Sequence, residues 1–530
     1  MDNDLKRPKP VVLAILDGWG VKADYVGNAI TQARTPFFDS LVKKYPSAVL
    51  NAYGQAVGLP VNTVGNSEIG HLVIGAGRPV EQELLKIDRV FQDKSILKNS
   101  VLATAIQQVK KNKGGLHLVG LISESEKHSS LSHLFGLIKI AKRRNVEKIF
   151  VHVILDGLDT SPTIGVESLE KLINFLAQEK IGKIATISGR FYAMDRDNHW
   201  ERTAKVYTAM TQGEGREAVD PLTAIRESYS KKIFDHEIVP TVIKGNDGQA
   251  LGQVMSGDAL IFFNFLPERI KQLVEIFTAE NRESERGGEA IKKLYLASFA
   301  NLDTSAGVQN VFAKDSVSET LAEIISRAGL TQMHIAETEK FSHVTYFFNG
   351  EKEMTLDGET DRLIPARLVD DELEHPKMSA LALTKAVVKA IEKNEFDFIV
   401  LNLANLDIIG HLGDLQKAKK SAEVIDGCLR KIFSAVNAKD GVLVVTSDHG
   451  NAESMLNLQT EEIEKNHTAN PVPFILVGKD FEGKNIGWPE APEGDLALLQ
   501  PIGTLADIAP TILKIMGLEK PSKMTGKELF

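Results

Sequence analysis

The apolar residues of this chain fall into short unbroken runs separated by stretches of helical period. Residues 11–16 (VVLAIL) form one such run, closed by Asp17-Gly18. A run of that length ending in a turn signal predicts a strand buried on both faces. Residues 396–403 (FDFIVLNL), 441–446 (GVLVVT) and 474–477 predict further strands. Between them, 379–393 (SALALTKAVVKAIEK) and 415–436 carry the apolar spacing of helices. The middle of the chain alternates in the same way, with strands expected at 117–121, 148–155, 183–188 and 259–264. Alternation of this kind predicts an α/β fold built on mainly parallel strands. At 530 residues the chain is too long for one ordinary core. The pattern predicts one discontinuous domain from residues 1–81 and 316–530, with a second α/β domain, 82–315, inserted into it.

Composition narrows the class. Apolar residues make up 43% and charged residues 25%, the mix of a globular protein. The net charge of -9 argues against a nucleic-acid or anionic-membrane partner. The one cysteine, Cys428, excludes an intramolecular disulfide framework and a cysteine-rich zinc site. The opening residues, MDNDLKRPKP, lack the apolar segment of a signal peptide. The apolar runs fall far short of the roughly 20 residues of a membrane helix. A cytoplasmic protein is expected.

The candidate chemistry lies just beyond the predicted strands. Asp17 follows 11–16, Asp407 and His411 follow 396–403, and Asp448-His449 follow 441–446. In open α/β sheets ligands bind outside the carboxyl ends of the strands. An aspartate after a strand is commonly a turn or cap residue, but three strands delivering acids and imidazoles to one edge call for a cation between them. Carboxylates mixed with imidazoles suit Mn²⁺ or Zn²⁺ better than Ca²⁺. His467, in NHTANP, is a further candidate ligand. The Asp407/His411 spacing fits one helical face, but Gly410 and the preceding strand make a loop the expectation. Ser67, in NTVGNSEIGHLVIGAGR (62–78), stands at a helix-like start. It reads either as an N-cap or as a nucleophile activated by metal; His71 reads as structural.

Taken together, VVLAILDGWG, GNSEIGHLVIGAGR, ISGRFYAMDRDNHWER, AETEKFSHVTYFF, SDHGNAE, HTANPVPFI and MTGKEL resemble the cofactor-independent (2,3-bisphosphoglycerate-independent) phosphoglycerate mutases of the alkaline phosphatase superfamily. The resemblance runs from about residue 10 to the C-terminus. SDHGN marks the superfamily, and ISGRFYAMDRD the mutase. The resemblance implies an alkaline-phosphatase-like, doubly wound, mainly parallel sheet with the inserted domain binding substrate. It implies two Mn²⁺ (Mg²⁺, Zn²⁺ and Co²⁺ being compatible) and no 2,3-bisphosphoglycerate. Asp407, His411 and His467 would hold one cation; Asp17, Ser67, Asp448 and His449 the other. Ser67 would be transiently phosphorylated as 3-phosphoglycerate and 2-phosphoglycerate interconvert in glycolysis and gluconeogenesis. His128, Asp159, Arg190, Arg196, Arg269 and Lys340 match substrate positions, with Asp159 as acid/base, and the family is usually monomeric.

The chain departs from the family in places. Where the family has LDGRDT and FNFRP, this chain has LDGLDT and FNFLP, so Leu158 and Leu266 stand where substrate-binding arginines are expected. Arginine binds two anionic oxygens at once. Losing two such anchors costs about 3–6 kcal/mol if nothing compensates. Leu406 and Leu412 replace the usual proline and threonine. The departures read either as neutral drift with local compensation or, at Leu158 and Leu266, as support for the alternative of a related metal-dependent phosphatase or phosphotransferase acting on another phosphate ester.

Overall fold

A computed structural model of the protein describes residues 7–278, 282–288, 290–302, 307–313, 317–366 and 376–530. The chain divides into two compact units, Met1–Gln82 with Ser316–Phe530, and Glu83–Asp315. Among the described residues each is built on its own eight-stranded sheet. Among the described residues no helix is long and apolar enough to cross a membrane.

In the discontinuous unit the strands run Glu359–Ile364, Gln332–Glu337, Phe398–Leu403, Val11–Leu16, Val442–Thr446, Val472–Val477, Ser47–Asn51 and Gly503–Thr504 across the sheet. The first five are mutually parallel. Val472–Val477 is antiparallel to both its neighbours. The Val11–Leu16 strand lies near the centre, with Val11, Leu13 and Ile15 in one apolar cluster and Val12, Ala14 and Leu16 in another. Both faces are covered, which is why the run lacks polar alternation. Register aligns Ile15 with Asn402 and with Thr446, so the carboxyl ends of three adjacent strands finish side by side.

The expected loop after Leu403 is instead a helix, Asn405–Leu412. Gly410 does not break it. A Cβ there would lie 2.3 Å from Asn451 Oδ1, so glycine is required by close packing rather than by a turn. Leu406 is buried in the core beside it, and Leu412 is partly exposed.

The inserted unit orders its strands Val308–Asn310, Tyr295–Ser298, Ala259–Phe262, Leu116–Ile122, Ile149–Leu155, Lys183–Gly189, Thr241–Ile243 and Arg216–Ala218. Thr241–Ile243 is antiparallel to Lys183–Gly189, and the remaining pairs are parallel. A buried polar chain crosses this sheet. His117 Nε2 lies 3.1 Å from Asp258 Oδ2, His117 Nδ1 2.9 Å from His152 Nε2, and His152 Nδ1 3.0 Å from Thr186 Oγ1. Neutral rings satisfy every link: His117 donates to Asp258 and accepts from His152, which accepts from the Thr186 hydroxyl. Burial, then the neighbouring His117, hold His152 well below the usual imidazole range. The unfolded chain therefore binds a proton that the folded chain refuses, and stability present above pH ~6.5 is lost as pH falls. Unfolding free energies from urea titrations should drop between pH 7.5 and 5.5, by up to ~1.4 kcal/mol per pH unit for this group. A His152→Gln variant with an unchanged slope would refute the assignment.

Candidate active site

The carboxyl ends of four parallel strands supply one cluster in the discontinuous unit. Asp17 follows Val11–Leu16 directly. Gly18 adopts φ +77°, and a Cβ there would lie 2.8 Å from Asp407 N, so the turn admits the helix bearing Asp407 only with glycine. Asp407 and His411 lie one turn apart on that helix, 3.2 Å apart through Oδ1 and Nε2. Asp448 and His449 follow Val442–Thr446, and Lys340 closes the short turn Thr338–Lys340 after Gln332–Glu337. His467 arrives on a loop whose Thr468 N bonds Gly450 O.

Ser67 enters as the first residue of the Ser67–Ala76 helix. It is not the cap, because the Asn66 side chain accepts from Ile69 N at 2.9 Å. The Ser67 hydroxyl is free for other work and is almost fully buried. Its Oγ lies 3.3 Å from Asp17 Oδ1, 2.9 Å from His449 Nε2 and 2.5 Å from Lys340 Nζ. Lys340 Nζ also donates to Asp407 Oδ2 at 2.7 Å and to Asp17 at 3.1 Å. His467 Nε2 is 3.1 Å from Asp407 Oδ1 and 3.0 Å from His411 Nε2. His449 Nε2 is 3.4 Å from Asp17 Oδ1 and 3.5 Å from Asp448 Oδ2.

Every ligand candidate read from the sequence thus converges here, with Lys340. The arrangement fits divalent cations. Asp17, Asp407 and Asp448 are buried carboxylates answered by one ammonium, a combination that costs free energy without further positive charge. Asp448 Oδ2 and Asn451 Oδ1 are buried without a hydrogen-bond partner among the described residues. His71 Nδ1 lies 3.3 Å from that Asp448 oxygen but is engaged with Ser67 O at 2.8 Å. Asp407, His449 and His467 present ligand atoms within 4.8 Å of one another, as do Asp17, His71 and Asp448. Burial, then Asp448, push the Asp17 carboxyl up. Burial acts the same way on Asp407, but hydrogen bonds from His411 and His467 outweigh it and hold its carboxyl well below the usual range. Burial pulls Lys340 down; Asp17, Asp407 and Asp448 more than reverse this and keep the ammonium charged.

Sequence reasoning missed the residues that hold the cluster. Asn402 Nδ2 donates to Asp17 Oδ2 at 2.7 Å and meets His71 Nε2 at 3.0 Å. Its signal was an amide inside an otherwise apolar strand, FIVLNL. Glu453 is fully buried and accepts from Gly20 N at 3.1 Å, Asn451 N at 2.8 Å, Asn470 Nδ2 at 2.9 Å and the Thr468 hydroxyl. One carboxylate therefore ties together the loops after Asp17, after His449 and after His467. In Glu453→Gln an amide N–H would face donors. The variant should lose about 2–3 kcal/mol of stability by urea unfolding and roughly 10- to 100-fold in metal affinity. Wild-type values in both would contradict this role.

The inserted unit gathers a second cluster at its own strand ends. Asp159 follows Ile149–Leu155, Arg190 follows Lys183–Gly189, and His128 lies beyond Leu116–Ile122. Arg190 Nη1 bonds Asp156 Oδ1 at 2.6 Å and Asp159 Oδ2 at 2.5 Å. His128 Nε2 is 3.2 Å from both Arg190 Nη2 and Asp159 Oδ2. Burial and the positive charge of Arg196 and Arg190 lower the Arg269 guanidinium. Crowded like charges of this kind suit an anionic ligand. Leu266 packs against the apolar core, whereas Leu158 is 61% exposed.

The chain matches the metalloenzyme superfamily model over residues 9–520. The 2,3-bisphosphoglycerate-independent phosphoglycerate mutase of Trichormus variabilis is 43% identical over 98% of this chain and 95% of its own length. That of Thermomicrobium roseum is 42% identical over 99% of both chains. Among solved structures, a Leishmania mexicana phosphoglycerate mutase studied at low cobalt concentration superposes with a TM-score of 0.69 at 26% identity, covering 99% of this chain and 98% of that one. The chain belongs to the family of 2,3-bisphosphoglycerate-independent phosphoglycerate mutases, isomerases of the metalloenzyme superfamily.

Proposed function

We propose that this chain interconverts 3-phosphoglycerate and 2-phosphoglycerate, in glycolysis and gluconeogenesis, through a phosphoserine at Ser67. The observation that carries the reading is the Ser67 hydroxyl, buried at a helix N-terminus among Asp17, His449 and Lys340. The discontinuous unit is the metal-binding, phosphatase-like domain, and the inserted unit recognises the glycerate. Asp407, His411 and His467 would hold one cation, and Asp17, Ser67, Asp448 and His449 the other. Mn²⁺ suits this mixture of carboxylates and imidazoles, as do Zn²⁺ and Co²⁺; Mg²⁺ is the harder alternative. When bound, the cations supply charge neutralisation and make a hydroxyl more acidic.

The chain's own groups do the rest. The helix N-terminus favours negative charge at Ser67. Lys340 places a fixed positive charge beside the Ser67 oxygen and steadies it as it loses its proton and attacks. Ser67 takes the phosphoryl group from the 3-position, the glycerate reorients, and its 2-hydroxyl takes the group back. His128, Arg190, Arg196 and Arg269 supply charge for the substrate. The 3-oxygen takes up a proton as its bond to phosphorus breaks, Asp159 accepts the proton that the 2-hydroxyl gives up as it attacks, and Ser67 regains its proton when the serine–phosphorus bond breaks. Phosphoryl transfer rests on this kind of positioning and charge stabilisation. The protein acts as a cytoplasmic monomer.

The test is a Mn²⁺-supplemented assay on 3-phosphoglycerate, coupled to enolase, with inorganic phosphate followed in parallel. 2-Phosphoglycerate without phosphate release is the expected result. Phosphate release without 2-phosphoglycerate would establish the phosphatase alternative.

A further inference from the structure

Leu158, the neighbour of Asp159, carries no charge, and the structure brings a cation to the Asp159 carboxylate from another loop. Leu158 and Asp159 are fixed by a turn in which both backbone N–H groups donate to Asp156 Oδ1, at 3.2 and 3.0 Å. Leu158 is exposed and lines a cavity of about 160 Å³ with Arg190, Arg202, Arg269, His236, Asp195 and Asp197, bringing no charge to it. From the loop between Leu116–Ile122 and the helix Leu131–Arg143, Lys127 reaches across to Asp159 Oδ1 at 3.0 Å. The other oxygen of that carboxylate already meets Arg190 and His128. Its acidic chain neighbour, Glu126, turns away at φ +52° and accepts from Ser130 Oγ at 2.8 Å.

The Lys127 side chain is 61% exposed and that of Asp159 18%. An ion pair with one partner so exposed adds little to stability, so stability does not explain the contact. An ammonium carries three donors in a freely rotating head, and Asp159 takes one of them. We propose that Lys127 is a substrate-binding residue whose ammonium makes the charged contact to the glycerate that Leu158 does not. The inference rests on the mutase reading. It has a mechanistic corollary. Burial pushes the Asp159 carboxyl up, but hydrogen bonds from Arg190 and Lys127 outweigh this and hold it at about 2, far from the range of an effective base. When Lys127 turns to an anionic oxygen, Asp159 loses one of these restraints and becomes more basic as substrate binds.

The test uses the full-length, Mn²⁺-loaded enzyme, with KM and kcat from the coupled assay and direct calorimetric binding of 3-phosphoglycerate. In Lys127→Met, KM and Kd should rise about 10- to 100-fold, the worth of one charge-assisted hydrogen bond, while kcat changes less. Lys127→Arg should restore both constants to within about threefold of wild type. Leu158→Arg should rescue the Lys127→Met enzyme yet leave the wild type nearly unchanged, because one cation replaces the other. The proposal is overturned if Lys127→Met binds within about twofold of wild type, or if Leu158→Arg improves both backgrounds equally. A wild-type enzyme that binds 3-phosphoglycerate without forming 2-phosphoglycerate refutes the mutase reading alone, and the Kd comparison still judges Lys127. A wild-type enzyme that does not bind it overturns both.

Discussion

Ser67→Ala is expected to lower mutase turnover by ~10⁵-fold or more, the order seen when a covalent nucleophile is removed. The neighbours of the hydroxyl explain the size of the effect. Asp17, His449 and Lys340 converge on this one oxygen, so its loss strands their positioning as well as removing the attacking atom. The fold should tolerate the change, because Asn66 rather than Ser67 caps the helix. The variant should therefore keep wild-type thermal stability and most of its metal affinity. Incubation with labelled 3-phosphoglycerate should mark the wild-type protein transiently and the variant not at all. Equal labelling of both would place the phosphoryl acceptor elsewhere.

Chelation is the second large effect. Stripping divalent metal should abolish turnover, and Mn²⁺ should restore it. Stability should respond in one unit only. Binding to the native state at a thousandfold excess over Kd contributes about 4 kcal/mol. On the proposed ligand set that contribution belongs wholly to the discontinuous unit, where Lys340 meets Asp17 and Asp407 and the buried Asp448 lies beside His449. Hydrogen exchange after chelation should therefore quicken in the strands Val11–Leu16 and Val442–Thr446, while Leu116–Ile122 in the inserted unit keeps its protection. Uniform loosening of both sheets would contradict this assignment of the metal ligands.

Much of this architecture is legible in the sequence, for reasons that differ from element to element. VVLAIL reads as a buried strand because apolar cover on both faces erases alternation. The acids and imidazoles after the strands are legible because parallel strands present their carboxyl ends on one edge. The helix carrying Asp407 and His411 was not, because Gly410 signals a break and only the proximity of Asn451 explains it. Ser47–Asn51 is too short and too polar at its ends to stand out, although its neighbours bury it. Glu453 is silent in sequence, since nothing local says that one carboxylate will gather three distant loops. Leu158 and Leu266 look equivalent as departures, yet one faces solvent and the other the core. Burial, which a single sequence does not record, separates them.

The central position of Val11–Leu16 also bears on how the protein is made. This strand is synthesised before the other described strands of its sheet, and both its sheet neighbours, Phe398–Leu403 and Val442–Thr446, lie more than 380 residues later. Asp17 and the Asn402 that anchors it are 385 residues apart. At about 5–20 residues per second, the nascent strand waits roughly 20–80 seconds for its first partner. Throughout that interval it is an unpaired, wholly apolar edge of the kind that draws in other chains. The inserted unit, whose described strands lie between Leu116 and Asn310, is translated in full before that partner emerges and is free to fold first. Chaperone demand during synthesis should therefore fall on the N-terminal segment, and fragments that end before residue 398 should aggregate through it.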